Sequence, residues 1–406
     1  MAEKNKNPEI RFKGFSDEWE ERELENEVDF FSGLTYSPSD VIREGGTFVL
    51  RSSNVKNGEI VYADNVYVNS NAVNSDNVRE GDIIVVVRNG SRSLIGKHAQ
   101  IKKSMNNTVI GAFMTGLHSN QSAFINALLN TKQFDKEIEK NLGATINQIT
   151  TGAFKRMQFM FPNSNEQSQI GTYFHHLDHL IILHQRKYDK LVTVKKAMLE
   201  KMFPQNGADV PEIRFKGFTE AWEERKWEDT VEISTNMVDP KTREYDELAH
   251  IGPGNIESFT GKILDNVLTV KDSNLISGKF HFFKGDIIYG KINPQLGKYA
   301  IAPYEGLASA DSYILNTKNG VVQNYLYAVL QTKDFYKYSV SVSSRTGMPK
   351  INRDELNIFK FQTPKMEEQK KIGAFLINLD DLITLQDCEL EKLKNIKKAC
   401  LEKMFV

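Results

Sequence analysis

The feature that most constrains this chain is a long stretch that occurs twice, at Glu166 to Phe203 and again at Glu368 to Phe405. The first copy closes on Lys-Lys-Ala-Met-Leu-Glu-Lys-Met-Phe, the second on Lys-Lys-Ala-Cys-Leu-Glu-Lys-Met-Phe. Both open with Glu-Gln and then Ile-Gly (Ile170-Gly171, Ile372-Gly373). Apolar residues recur at Ile170, Tyr173, Leu177, Leu180, Leu191, Val194 and Met198, and at Ile372, Phe375, Leu379, Leu382, Leu393, Ile396 and Cys400. Steps of three and four mark a heptad seam. The seam is therefore expected at Ile170, Leu177, Leu180, Leu191, Val194 and Met198, and at Ile372, Leu379, Leu382, Leu393, Ile396 and Cys400. Neither copy holds a proline, or a glycine beyond its first turn, so each can be one helix of roughly 57 Å at ~1.5 Å per residue. So narrow an apolar stripe needs a partner helix, and the other copy is the obvious one.

The repetition extends beyond the helices. Pro8-Glu9-Ile10-Arg11-Phe12-Lys13-Gly14-Phe15 returns unchanged at Pro211 to Phe218, and Trp19-Glu20-Glu21-Arg22 returns at Trp222 to Arg225. The period is far too long for a solenoid. The chain reads as one unit written twice: a first head at 1–165, a long helix at 166–203, a polar linker at 204–210, a second head at 211–367, and a second long helix at 368–406.

Each head reads as mixed α+β. Thr47 to Val55 and Gly81 to Arg88 are expected strands, and Gly285 to Lys291 matches the latter. Amphipathic helices are expected at Ser122 to Lys140 and Gln323 to Tyr338, each containing Thr-Lys-x-Phe. A small-polar loop then leads to Ile149 or Ile351, and a last strand ends at Pro162 or Pro364. The ends of the repeat are nearly identical and the middles have diverged. That is how a protein holds two similar heads that bind different things.

Lys and Arg total 52 against 53 Asp and Glu, a formal charge of −1. There is no global basic signature, though local basic patches remain open. Two cysteines, Cys388 and Cys400, share one expected helix three turns apart and cannot pair. With no long apolar run and a polar N-terminus, the expected setting is the reducing cytoplasm.

Catalytic signatures are scarce. Gly90 to His98 has the wrong spacing for a phosphate-binding loop, and His stands where Ser or Thr must hold magnesium. His175 and His179 have the spacing of a metal pair, but no thiolate or carboxylate completes a site, so a solvated face is expected. The polar loops are the better candidates. Arg88, Asn89, Ser91 and Arg92 continue directly from a strand, with Lys97 following. In the second half Lys291, Asn293, Gln295 and Lys298 occupy the corresponding turn. Thr145, Asn147 and Gln148, with Arg345, Thr346 and Lys350 opposite, offer similar groups, as do Arg51, Ser52 and Asn54. Arg to guanine, Asn or Gln to adenine, and Lys to phosphate are the pairings that read DNA. Each residue alone suits an ordinary surface. Recurrence in both halves singles the loops out.

This arrangement resembles the specificity subunit of type I restriction–modification enzymes. The resemblance rests on a variable head with a Gly-Asp-Ile strand, a small-polar loop ending in Ile149 or Ile351, a strand ending in Pro162 or Pro364, then Glu-Gln and the Lys-Lys-Ala-x-Leu-Glu-Lys-Met-Phe helix, written twice. The duplicated Pro-Glu-Ile-Arg-Phe-Lys-Gly-Phe is similar to the Gram-positive, staphylococcal-like form. The resemblance implies two target recognition domains, each reading one half of a bipartite asymmetric DNA site, with an antiparallel coiled coil setting the unread spacer. It implies two methylation subunits using S-adenosylmethionine, two restriction subunits using ATP and magnesium, and no catalysis or cofactor in this chain. Two other readings stand beside it. A self-contained adenine methyltransferase would need Asn/Asp-Pro-Pro-aromatic, which Asn293-Pro294-Gln295 does not supply. A pseudo-dimeric coiled-coil scaffold for protein partners would need no DNA at all.

Overall fold

A computed structural model describes residues 6–143, 147–205, 207–343 and 347–406. The chain divides into two compact units, Met1–Gln185 with Glu389–Val406, and Arg186–Cys388. Each unit therefore holds one head, the leading part of that head's own long helix, and the trailing part of the other helix.

The two strand-rich heads share one plan. In the first, an antiparallel sheet runs in the order Asp29–Ser32, Met114–His118, Ile83–Val86, His98–Gln100. In the second the order is Val231–Ile233, Ser312–Thr317, Ile287–Gly290, Tyr299–Ile301. Ile83 to Val86 and Ile287 to Gly290 are buried throughout, which is why they read as continuous apolar runs and not as alternating ones. Each head adds a second sheet containing one parallel pair, Thr108–Ile110 with Thr47–Leu50 and Gly306–Ala308 with Ala249–Ile251.

The helices expected at Ser122 to Lys140 and Gln323 to Tyr338 are each two helices. They run Ser122–Leu128 and Lys132–Asn141, and Gln323–Leu330 and Lys333–Ser343. The break falls on Thr-Lys-x-Phe, which is a cap and not a helix interior. Thr131 Oγ1 accepts from the Phe134 amide and Thr332 Oγ1 from the Phe335 amide, both at 3.3 Å. Phe134 and Phe335 then drop into the two cores.

The long helices are Ser164–Lys201 and Met366–Lys403. No helix among the described residues is long and apolar enough to cross a membrane. The repeated sequence ends meet in space. Arg11 makes a two-pronged ion pair to buried Glu166 (2.8 and 2.7 Å), and Arg214 makes the same pair to Glu368 (2.9 and 2.6 Å). The Ile10 amide donates to the Lys403 carbonyl and the Ile213 amide to the Lys201 carbonyl, both at 2.9 Å. Each opening segment therefore ties the start of one long helix to the end of the other. Gly171 and Gly373 allow a helix to approach closely: an added Cβ would lie 2.6 Å from the Phe124 amide and 2.8 Å from Asn324 Cβ.

Most of the expected seam is covered, namely Ile170, Leu177, Leu191, Val194 and Met198 with Ile372, Leu379, Leu393 and Cys400, and the departures are local. Leu180, Leu382 and Ile396 are exposed, at 42%, 43% and 37%. The covered positions step by four and three through Ile170, Phe174, Leu177, Ile181, His184, Tyr188, Leu191, Lys195 and Met198. They step likewise through Ile372, Leu376, Leu379, Ile383, Gln386, Leu390, Leu393, Lys397 and Cys400. Tyr173 and Phe375 flank this seam, half-buried against the two cores beside the fully buried Phe174 and Leu376. Two lysines also sit inside the seam, where apolar spacing does not mark them. Lys397 pairs with Asp178 at 2.6 Å in the first unit, and Lys195 pairs with Asp380 in the second. In the first unit Tyr173 meets Cys400 while Asp178 meets Lys397, so one helix advances as the other retreats and the pairing is antiparallel.

His98 is buried in the first core. Its Nδ1 donates to the Gly96 carbonyl at 3.0 Å, and its Nε2 accepts from Asn130 at 3.1 Å, which is the neutral ring. Burial pulls its pKa down to about 4. A folded-state value below the ordinary one gives stability that is complete above about pH 6.5 and lost as pH falls through 4. The expected loss is on the order of 3 kcal/mol in the first unit. The protection factors of amides in strand His98–Gln100, taken relative to the intrinsic exchange rate at each pH, should fall over that window. In His98→Gln this fall should be absent; an unchanged profile would contradict the assignment.

Candidate nucleic-acid interface

In each unit the chain leaving the central buried strand meets two other segments. In the first, the Val87 and Arg88 amides donate to the Phe113 carbonyl at 3.0 and 3.2 Å, and the Asn89 amide to the Asn147 carbonyl at 3.2 Å. The Ile149 amide donates to the Val87 carbonyl at 2.9 Å, and Arg88 bridges Gln148. The 51–54 turn joins them through Asn89 to Ser52 Oγ (3.0 Å) and Lys97 to the Ser52 carbonyl (3.3 Å). Arg51, Arg88, Asn89, Lys97, Asn147 and Gln148 thus come from separate parts of the sequence to one edge. Arg88, Ser91 and Arg92 are exposed there.

The second unit repeats this backbone. The Lys291 amide donates to the Asp311 carbonyl, the Asn293 amide to the Pro349 carbonyl, and the Ile351 amide to the Lys291 carbonyl, at 3.0, 2.8 and 3.0 Å. Ile292 bridges Lys350 as Arg88 bridges Gln148. The side chains at these matched positions are unlike. Gln295 and Lys350 are exposed, and Lys291 lies over the Tyr313 ring at 5.1 Å. Burial, with Lys350 and Arg353 close by, pulls the Lys291 amine below the usual lysine range. Arg353 also faces Tyr313, at 5.7 Å, making a cationic cluster. Arg353 and Tyr313 carry no motif or periodicity that marks them in the sequence.

Several candidates change role. Asn54 is fully buried, so it is not a surface reader. Its Oδ1 accepts from the Arg51 amide, and its Nδ2 donates to the Val61 and Ala63 carbonyls. Asn255 braces the matching turn, accepting from the Gly252 amide at 2.8 Å and donating to the Asn266 carbonyl at 3.1 Å. Lys97 and Lys298 each direct the amine to a backbone carbonyl, Ser52 and Ile256 respectively, so both brace loops. Asn147 donates to the Gly90 carbonyl at 2.9 Å, and Asn89 accepts from the Ser91 amide at 3.0 Å. Thr145, Arg345 and Thr346 lie outside the described residues. Among the described residues no group of three or more His, Cys, Asp or Glu could hold a metal.

A family described as "Type I restriction modification DNA specificity domain" matches residues 16–193 and 219–395, once in each half. The EcoDI specificity subunit of Escherichia coli is 29% identical over 188 residues, 45% of this chain and 41% of that protein. The HindI specificity subunit of Haemophilus influenzae is 29% identical over 193 residues, 43% and 39% of the two chains. The matched part thus spans about two fifths of the length of these relatives. The MjaVIII specificity subunit of Methanocaldococcus jannaschii is 23% identical over 278 residues, 64% of each. The S subunit of a type I restriction–modification system from M. genitalium shares the fold, with a TM-score of 0.68 over 98% of this chain and 99% of that one at 15% identity. The family match covers most of both halves, and the chain belongs to the type I restriction–modification DNA specificity family.

Proposed function

We propose that each unit is a target recognition domain reading one half of a bipartite, asymmetric DNA site, and that the long helices set the unread spacer. One observation carries this reading: the same backbone junction is built in both units and dressed with different side chains. Arg88 and Gln148 in the first correspond to Ile292 and Lys350 in the second. A fixed scaffold with exchanged donors and acceptors suits two heads reading two different sequences. In this proposal two methylation subunits bind S-adenosylmethionine and methylate adenine, and two restriction subunits use ATP and magnesium. This chain supplies recognition and no catalytic group, in the cytoplasm. A formal charge of −1 is compatible with that division of labour, because the methylation subunits can share in neutralising phosphate.

The test is domain exchange. Replacing residues 30–150 with the matching segment of another member should change one half of the methylated sequence and leave the other intact. A change in both halves would contradict modular reading. Removing one heptad from both long helices should shorten the spacer, and an unaltered spacer would sink that part of the proposal.

A further inference from the structure

The turn that receives the Val87 amide in the first unit and the Lys291 amide in the second is the same turn carrying opposite chemistry. Met114 pairs with Val86, and Ser312 pairs with Gly290. The Met114 amide closes onto the Gly111 carbonyl at 2.8 Å, and the Ser312 amide onto the Ser309 carbonyl at 3.0 Å. Phe113 and Asp311 therefore occupy one position, each immediately before its strand and each offering its carbonyl to the neighbouring strand's extension at 3.0 Å.

Neither side chain is buried in the core of its own unit. Phe113 is 53% exposed at an otherwise polar edge, where an apolar ring gains nothing from water. One face is covered by the Arg88 guanidinium at 5.0 Å, which holds the ring in place. Asp311 is exposed, and the turn around it is held by Ser309 Oγ accepting from the Asp311 amide at 3.2 Å, not by the carboxylate. Lys291 extends over Tyr313 and forms no contact ion pair with Asp311 among the described residues, although the carboxylate is near enough to oppose the burial that lowers the pKa of Lys291 and of Lys279. A carboxylate on a DNA-facing edge is repelled by phosphate and is favoured where a base edge offers a hydrogen-bond donor.

We propose that Phe113 and Asp311 are equivalent base-reading positions of the two heads, Phe113 packing on a thymine methyl and Asp311 accepting from a cytosine amino group. These are the major-groove features that distinguish the two pyrimidines. The inference rests on the proposal that these edges face DNA, and assigns one base pair in each half-site to a named side chain.

The experiment uses the chain in complex with its methylation partner, comparing methylated motifs for the wild type, Phe113→Asp and Asp311→Phe. Phe113→Asp should convert one A·T pair of one half to G·C. Asp311→Phe should convert one G·C pair of the other half to A·T. A split wild-type motif that both variants retain unchanged overturns this inference alone. A wild type with no split motif overturns the DNA reading beneath it. Should the exchanges abolish methylation, Phe113→Ala keeps the question open to measurement. The wild-type complex should bind about fourfold more weakly when the read thymine is replaced by uracil, the worth of one methyl. Phe113→Ala should be indifferent to that methyl, and equal sensitivity in both proteins overturns the assignment.

Discussion

Arg11→Ala is expected to destabilise the first unit by about 3–5 kcal/mol, the cost of leaving a buried carboxylate without its partner. Glu166 is fully buried, and both its oxygens are bound by the Arg11 guanidinium at 2.8 and 2.7 Å. The hydrogen bond to Glu166 raises the Arg11 pKa further above its ordinary value. The ion pair as such need not be the source of stability, because a well-packed neutral pair often does as well. Arg11→Met combined with Glu166→Leu should therefore be much less damaging than Arg11→Ala. Urea unfolding of the three proteins makes the comparison. A double variant as unstable as the single one would contradict the account. Arg214 and Glu368 should behave alike in the second unit.

Phe405→Ala should cost a similar amount, about 3–5 kcal/mol, by opening a cavity in the first core. The ring lies 6.1 Å from Trp19, 5.5 Å from Phe124 and 5.8 Å from Phe174, centroid to centroid. It comes from the far end of the chain, so the first head is completed by residues of the second long helix. Phe203 fills the same place beside Trp222 and Tyr325. Leu180→Ala is the contrast, because Leu180 is exposed although its spacing places it in the expected seam. It should shift the unfolding midpoint negligibly. A comparable loss at Leu180 and Phe405 would mean the helix frame is misassigned.

What was legible in the sequence was whatever repeats. The near-identity of Pro8 to Phe15 with Pro211 to Phe218, and of the two helix ends, has a physical reason: Arg11 and Arg214 bind Glu166 and Glu368, so both partners are held together. The heads, the long helices and the candidate loops followed from that pattern. The heptad seam followed too, except at Leu180, Leu382 and Ile396, which are exposed, and at Lys195 and Lys397, which sit in it paired with aspartates and which apolar spacing does not mark. Asn54 looked like a reader because a polar residue in a polar turn gives no hint that the turn folds around its amide. Phe113 was invisible for the opposite reason. An aromatic residue reads as core until its exposure is known.

The central claim is that this chain reads two different half-sites through two copies of one edge. Its most direct test is the methylome of cells carrying the chain and its methylation partner, set against cells lacking the chain. The account predicts a new split N6-methyladenine motif with two unlike halves and an unread spacer. Bound, expressed partner with no new motif would contradict it, leaving a coiled-coil scaffold for proteins in its place.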